Sequence, residues 1–184
     1  MTLPIIRKSE IGVVGYTTRE YMLPGEQDAL LALLAQVRPR VMIEIGVNEG
    51  ITACAVLKNI STIQRYYGID VGADYQFEIP EQKIERPVSP GVLAYIDPRF
   101  YLLLRGEPMP TAADAIFIDG DHGRNAVLRD SEWAAQIINP GGIIIWHDYG
   151  NMTVQVTEVL DKLHAGGRQL YTVANTWLAF ERVP

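Results

Sequence analysis

The stretch FIDGDH, Phe117 to His122, places two carboxylates and an imidazole at the end of an apolar run. A second stretch, HDYG, places His147 and Asp148 directly after the run IIIW. The chain has 3 histidines, and two of them fall in these stretches. Carboxylates beside an imidazole can move a proton, or can hold Mg²⁺ or a similar divalent ion. Mg²⁺ prefers oxygen, so a histidine ligand such as His147 leans towards Mn²⁺, Fe²⁺ or Zn²⁺. Each group also has a purely structural reading. His122 can bond a backbone carbonyl, His147 can pack beside Trp146, and Asp121 can cap the next helix. The third histidine, His164, closes a helix, where it interacts with the helix dipole.

These groups need elements to hold them. QDALLALLAQV, Gln27 to Val37, has the broad apolar face of a helix, closed by Pro39. VMIEIG (Val41 to Gly46) predicts a buried strand and a glycine turn, and ITACAVLKNI (Ile51 to Ile60) a helix. Further strands are predicted at YYGID (Tyr66 to Asp70), FYLLLRG (Phe100 to Gly106), AIFID (Ala115 to Asp119) and IIIWHD (Ile143 to Asp148). Helices are predicted from Asn125 to Ile138, ended by the turn signal NPGG, and from Val154 to His164. QLYTVA and WLAFERV form a hairpin around Asn175–Thr176. Alternating strands and helices predict an α/β, Rossmann-like three-layer sandwich. Its sheet is seven-stranded and mostly parallel, with the C-terminal hairpin as an antiparallel edge. Four strands end in acids: Glu44, Asp70, Asp119 and Asp148. Ligands bind outside the carboxyl ends of strands in open parallel sheets, so these acids are expected on one rim.

The 184 residues suit a single domain spanning 1–184, with residues 1–40 as a helical lead-in. Residues 72–98 hold Pro80, Pro87, Pro90 and Pro98 among charged and aromatic residues, which reads as a lid or substrate loop. Tyr16, Thr17, Thr18, Tyr66, Tyr67, Tyr75, Phe77 and Trp146 are polar or aromatic candidates near the rim or lid. The net charge of -6 and pI of about 5.1 offer no basic excess, so neither nucleic acid nor a membrane surface is an expected partner. The lone Cys54 lies in a helix and reads as a packed thiol. With no signal peptide or apolar run long enough to span a bilayer, the expected location is cytoplasmic.

EIGVNEG places Glu44, Gly46 and Gly50 between the first long strand and its helix. Gly46 permits a tight turn and Gly50 close packing at the helix start. Asn48 breaks the G-x-G-x-x-G pattern of nicotinamide binders. Glu44 would repel a diphosphate and welcome a cation, such as an ammonium or a sulfonium. Asp70, at the end of the next strand, suits ribose hydroxyls. The pair points to a nucleoside cofactor without phosphates.

EIGVNEG resembles the E-x-G-x-x-x-G motif of class I S-adenosylmethionine (SAM)-dependent methyltransferases, and GID resembles their ribose-binding motif. The block from FIDGDH through NPGG to HDYG resembles the small-molecule O-methyltransferase branch that includes macrocin O-methyltransferase-like enzymes. The resemblance implies SAM as cofactor and O-methylation of a small hydroxylated acceptor. It places Glu44, Gly46, Gly50, Asp70, Gly106, Glu107 and Asp119 along the cofactor. It implies His122 as general base beside Asp119, with Asp119 and Asp148 as metal ligands. His147 departs from this pattern, because metal-dependent relatives usually carry a carboxylate there; it joins the metal set as a candidate nitrogen ligand. Two alternatives stay open: DGD as the metal-chelating D-x-D of a glycosyltransferase using a nucleotide sugar, or a non-catalytic SAM-binding or structural protein of the same fold. The acceptor is unspecified, and a homodimer is among the open assemblies.

Overall fold

The computed structural model describes residues 2–12, 22–23, 25–48, 50–70, 97–104 and 107–184. The sheet grows from its middle. β2 (Val41–Ile45) pairs in parallel with β3 (Arg65–Asp70) on one side and with β5 (Ala113–Ile118) on the other. β3 continues to β4 (Phe100–Leu104), and β5 continues to β6 (Ile138–Trp146). The chain therefore reverses its direction of travel between β2 and β5, and a crevice opens at such a switch point.

β7 (Leu170–Val173) and β8 (Ala179–Arg182) complete the far half. β8 runs antiparallel to both β6 and β7, so it is the one reversed strand among those described. Among the described residues the order is β1-β7-β8-β6-β5-β2-β3-β4, eight strands where the sequence predicts seven. The added strand, β1 (Ile5–Ile6), pairs in parallel with β7 and displaces the hairpin from the sheet's edge. Two residues are too few to leave a period-2 pattern, which is why β1 escapes prediction.

Helices cover both faces. α1 (Glu26–Val37) and α2 (Ile51–Asn59) pack with Met42, Tyr66, Phe117 and Ile145. α3 (Arg124–Ile137) and α4 (Val156–Ala165) pack with Ile43, Ile116, Ile144 and Trp146. Neighbours along a strand serve opposite layers, as period 2 requires. α1 stops where Arg38 takes a left-handed φ of 54° and its N–H closes on Leu34 O. Cys54 is buried, as its helix predicts.

NPGG turns as predicted, but inside β6: Ile138 faces Ala113 and Ile143 faces Ala115, so Asn139 to Gly142 bulge out between them. α3 ends at Ile137 and β6 begins at once, with Gly141 at φ 79° and a register shift against Ala113–Ala115. Asp114 anchors this corner: its Oδ2 accepts Arg40 N (2.8 Å) and Val41 N (2.9 Å), and its Oδ1 accepts Asn139 Nδ2 (2.8 Å). Among the described residues, no helix is long and apolar enough to cross a membrane.

Candidate functional site

Three backbone bonds align the loops beyond the strand ends. Gly46 N donates to Ile69 O (2.8 Å), Asp119 N to Ile45 O (2.8 Å) and His147 N to Ile118 O (3.1 Å). They carry the parallel ladder past β2, β5 and β6, so the loops leave the sheet side by side. Between them lies a cleft of about 270 Å³, near the lower end of ordinary small-ligand sites. Glu44, Gly46, Asp119, His122, His147 and Asp148 all line it.

The glycine turn forms one wall. Gly46 has φ 87°, and its Cα faces the backbone of Asp119 and Gly120 so closely that a Cβ would stand 2.1 Å from Asp119 O. Only glycine fits there. Gly50, at φ 72°, is the N-cap of α2, and its N–H donates to Val47 O (2.8 Å) within the turn. Asp70 Oδ2 accepts Val47 N (3.0 Å) and Asn48 N (2.8 Å), so the same acid that ends β3 holds the turn. Glu44 is 1% exposed and accepts the Tyr66 hydroxyl at 2.8 Å. Burial pushes its carboxyl well above the usual carboxylate range, against the pull of the Tyr66 bond and with help from the Asp119 and Asp70 charges. A cation entering the cleft would reverse that balance.

The opposite wall is a square of alternating groups. His122 Nε2 lies 3.5 Å from Asp119 Oδ1 and 3.1 Å from Asp148 Oδ2. His147 Nδ1 lies 3.2 Å from the same Asp119 oxygen and 3.5 Å from the same Asp148 oxygen. Two imidazoles thus share one pair of carboxylate oxygens. Adjacent strand residues point to opposite faces. Asp148 joins His147 at the cleft because its φ is 64°, a left-handed value that turns the chain just past β6.

The two imidazoles are held differently. His147 is lodged between Asp119 and Asp148 on one side and Glu26 on the other, its Nε2 donating to Glu26 Oε2 at 3.1 Å. Burial works against its charge, but bonds to Asp119, Asp148 and Glu26 push its pKa up to about 12; a cation between the two aspartates would displace the Nδ1 proton. His122 is half-exposed. The Asp119 carboxylate holds its pKa above 6.5 against partial burial, with help from Asp148. Its Nε2 is nonetheless sealed from solvent and has no hydrogen-bond partner among the described residues. Asp148 is buried, which raises its pKa, yet bonds from His147 and Asn151 bring it below the ordinary value.

Such an atom beside two carboxylates can take a proton or face a divalent cation. Ligand atoms of Asp119, His122 and Asp148 all lie within 4.8 Å of one another, and mixed nitrogen and oxygen donors fit Mn²⁺ or Zn²⁺ better than Mg²⁺.

Other sequence candidates fall elsewhere. Glu107 is exposed and is not among the described lining residues. Gly106, Tyr16, Thr17, Thr18, Tyr75, Phe77 and the 72–98 loop, apart from Asp97 and Pro98, lie outside the described residues. Trp146 is buried in the core and donates to Ser131 Oγ (2.9 Å), away from the rim. Tyr67 packs on Tyr101. Asp121 is exposed and accepts Gly123 N (2.8 Å); Gln155 Oε1, not Asp121, receives Arg124 N at the start of α3 (2.9 Å). His164 bonds Arg168 O through Nδ1 (2.9 Å). The sequence reading misses Glu26, since an acid in a helix's first turn looks like an ordinary partner of the dipole.

A sheet of this order, helices on both faces and a cleft at the switch point define a Rossmann-like methyltransferase fold. The chain belongs to the methyltransferase domain family, whose model matches residues 43–149. An O-methyltransferase from Bacillus cereus, solved with SAH, is 17% identical with a TM-score of 0.61, over 95% of this chain and 86% of that one. The O-methyltransferase TomG from Streptomyces achromogenes, involved in tomaymycin synthesis and solved with SAM, is 12% identical with a TM-score of 0.61, over 90% and 82%. The SAH-bound methyltransferase PaMTH1 of Podospora anserina is 14% identical with a TM-score of 0.62, over 86% and 77%. These likenesses establish the fold. No curated protein matches the sequence.

Proposed function

We propose that the chain transfers a methyl group from SAM to a hydroxyl of a small molecule, as in the macrocin O-methyltransferase-like branch. The observation that carries this reading is one cleft with a buried acid and a glycine turn on one wall and the His122–Asp119–His147–Asp148 square on the other. Glu44 receives the positive end of the cofactor, and Asp70 holds the turn and takes the ribose hydroxyls. The acceptor oxygen attacks the methyl carbon in line with the carbon–sulfur bond. That bond breaks, its electron pair stays on sulfur, and the hydroxyl proton passes to the imidazole of His122, whose Nε2 faces the two carboxylates. Asp119 and Asp148, already within 3.5 Å of that nitrogen, stabilise the imidazolium that forms. Alignment of the two substrates contributes on the order of 7–11 kcal/mol.

A divalent cation held by Asp119, Asp148 and an imidazole would make the acceptor hydroxyl more acidic. Calorimetric titration with SAM tests the cofactor. Absence of binding at millimolar SAM refutes the reading. With an acceptor in hand, His122→Ala should lower kcat by roughly 10²–10⁴-fold while SAM affinity holds; unchanged turnover would remove His122 from the proton transfer.

A further inference from the structure

Glu26 begins α1 and is 0% exposed. A carboxylate in the core is costly unless donors surround it, and three do. Leu23 N donates to Oε2 (2.9 Å), His147 Nε2 donates to Oε2 (3.1 Å), and Trp177 N donates to Oε1. The imidazole is unlike the other two. The two backbone donors tie chain segments together, whereas the imidazole lines the cleft. Glu26 fixes His147 from behind, so that its other nitrogen, Nδ1, faces Asp119 Oδ1 and Asp148 Oδ2. Edge contacts with Phe117 and Trp177, at ring separations of 6.4 and 6.3 Å, close the remaining sides.

An imidazole that ligates a metal almost always donates its far N–H to a carboxylate or carbonyl, and that partner sets which nitrogen is presented. His147 has such a partner in Glu26. His122 reaches the same two oxygens with 37% of its side chain exposed.

The geometry points to Glu26 as a positioning residue that makes His147, through Nδ1, the nitrogen ligand of a divalent cation between Asp119 and Asp148, and leaves His122 to take the proton. This deepens the methyltransferase reading and rests on it for the cation's purpose. It also accounts for a histidine at position 147. Glu26 supplies a carboxylate behind the imidazole from the start of α1.

The test is Mn²⁺ binding to the full chain without cofactor, followed by calorimetry. Glu26→Gln and His147→Ala should each weaken Mn²⁺ binding by roughly 10–100-fold. The double variant should be no weaker than His147→Ala alone, because Glu26 acts through His147. His122→Ala should leave Mn²⁺ affinity nearly unchanged. Additive losses in the double variant, a loss in His122→Ala with none in Glu26→Gln, or no Mn²⁺ binding by the unaltered chain would each overturn the assignment. Should Glu26→Gln fail to fold, ¹⁵N spectra of the unaltered Zn²⁺-loaded chain decide. They should show the His147 proton on Nε2, and a proton on Nδ1 would overturn the assignment. SAM titrated in parallel separates the two readings. SAM binding without Mn²⁺ binding sinks this inference and spares the methyltransferase reading, and the reverse sinks the methyltransferase reading and spares the ligand assignment.

Discussion

Gly46→Ala should damage the fold and the site together, and its cost can be worked from the geometry. At φ 87° an alanine is strained, by about 1–2 kcal/mol. The new methyl would also stand 2.1 Å from Asp119 O, 2.6 Å from Asp119 C and 2.8 Å from Gly120 Cα. Those are backbone atoms, pinned by the 2.8 Å bond from Asp119 N to Ile45 O, so they cannot swing aside as a side chain would. Overpacking of this kind costs about 1–3 kcal/mol. Gly141→Ala is the control. Gly141 has φ 79°, yet nothing lies within 4 Å of its would-be Cβ, so it carries the backbone cost alone. In a chain of this length each kcal/mol shifts Tm by about 2–4 °C. Scanning calorimetry should therefore show a loss of about 2–8 °C for Gly141→Ala and about 4–20 °C for Gly46→Ala. Gly46→Ala should also weaken SAM binding, because relief of the clash moves Asp119 out of the cleft wall. Equal melting of the two variants would refute the argument that close approach of the two loops demands glycine.

Three further outcomes are expected. Hydrogen bonds from Asn139 and from the N–H groups of Val41 and Arg40 hold Asp114 below its ordinary pKa of 3.8 although burial opposes them. Its folded pKa being depressed, its stabilisation is present above the unfolded value and lost as pH falls through the folded one. Asp114→Asn should thus lower stability by about 1–2 kcal/mol at neutral pH and flatten the loss below about pH 4 in urea titrations; parallel acid limbs would contradict this. Tyr66→Phe strips buried Glu44 of its 2.8 Å donor and should cost about 1–3 kcal/mol in urea unfolding; an unchanged midpoint would mean that another group satisfies Glu44. Gln155 Oε1 accepts Arg124 N, two residues beyond His122, while its backbone N–H, which alanine keeps, donates to His122 O (3.2 Å); Gln155→Ala removes the first bond and should loosen the His122 loop. Turnover should fall while SAM affinity stays, and equal losses in both would contradict the local role.

The strands from Val41 to Trp146 and the helices between them were legible because each buries a periodic face, and periodicity is a local property. The acids at the strand ends were legible for a related reason, since a charge closing an apolar run marks the rim of a parallel sheet. The corrections arise where locality fails. NPGG carries every sign of a turn and does bulge, but the pairing of Ile138 and Ile143 on either side of it and the Asp114–Asn139 bond place the bulge within β6. β1 is a strand only because β7 lies beside it.

The sequence by itself determined the elements, the glycine turn and the acids that crown the strands, because backbone preference and apolar spacing act over a few residues. Only the tertiary structure decided which of those groups meet. Asp119 and Asp148 share their oxygens with two imidazoles because β5 and β6 are neighbours and Asp148 turns left-handed after them. Glu26 reaches His147 across 121 residues of chain, a meeting that follows from the packing of α1 on the sheet and that no local pattern encodes.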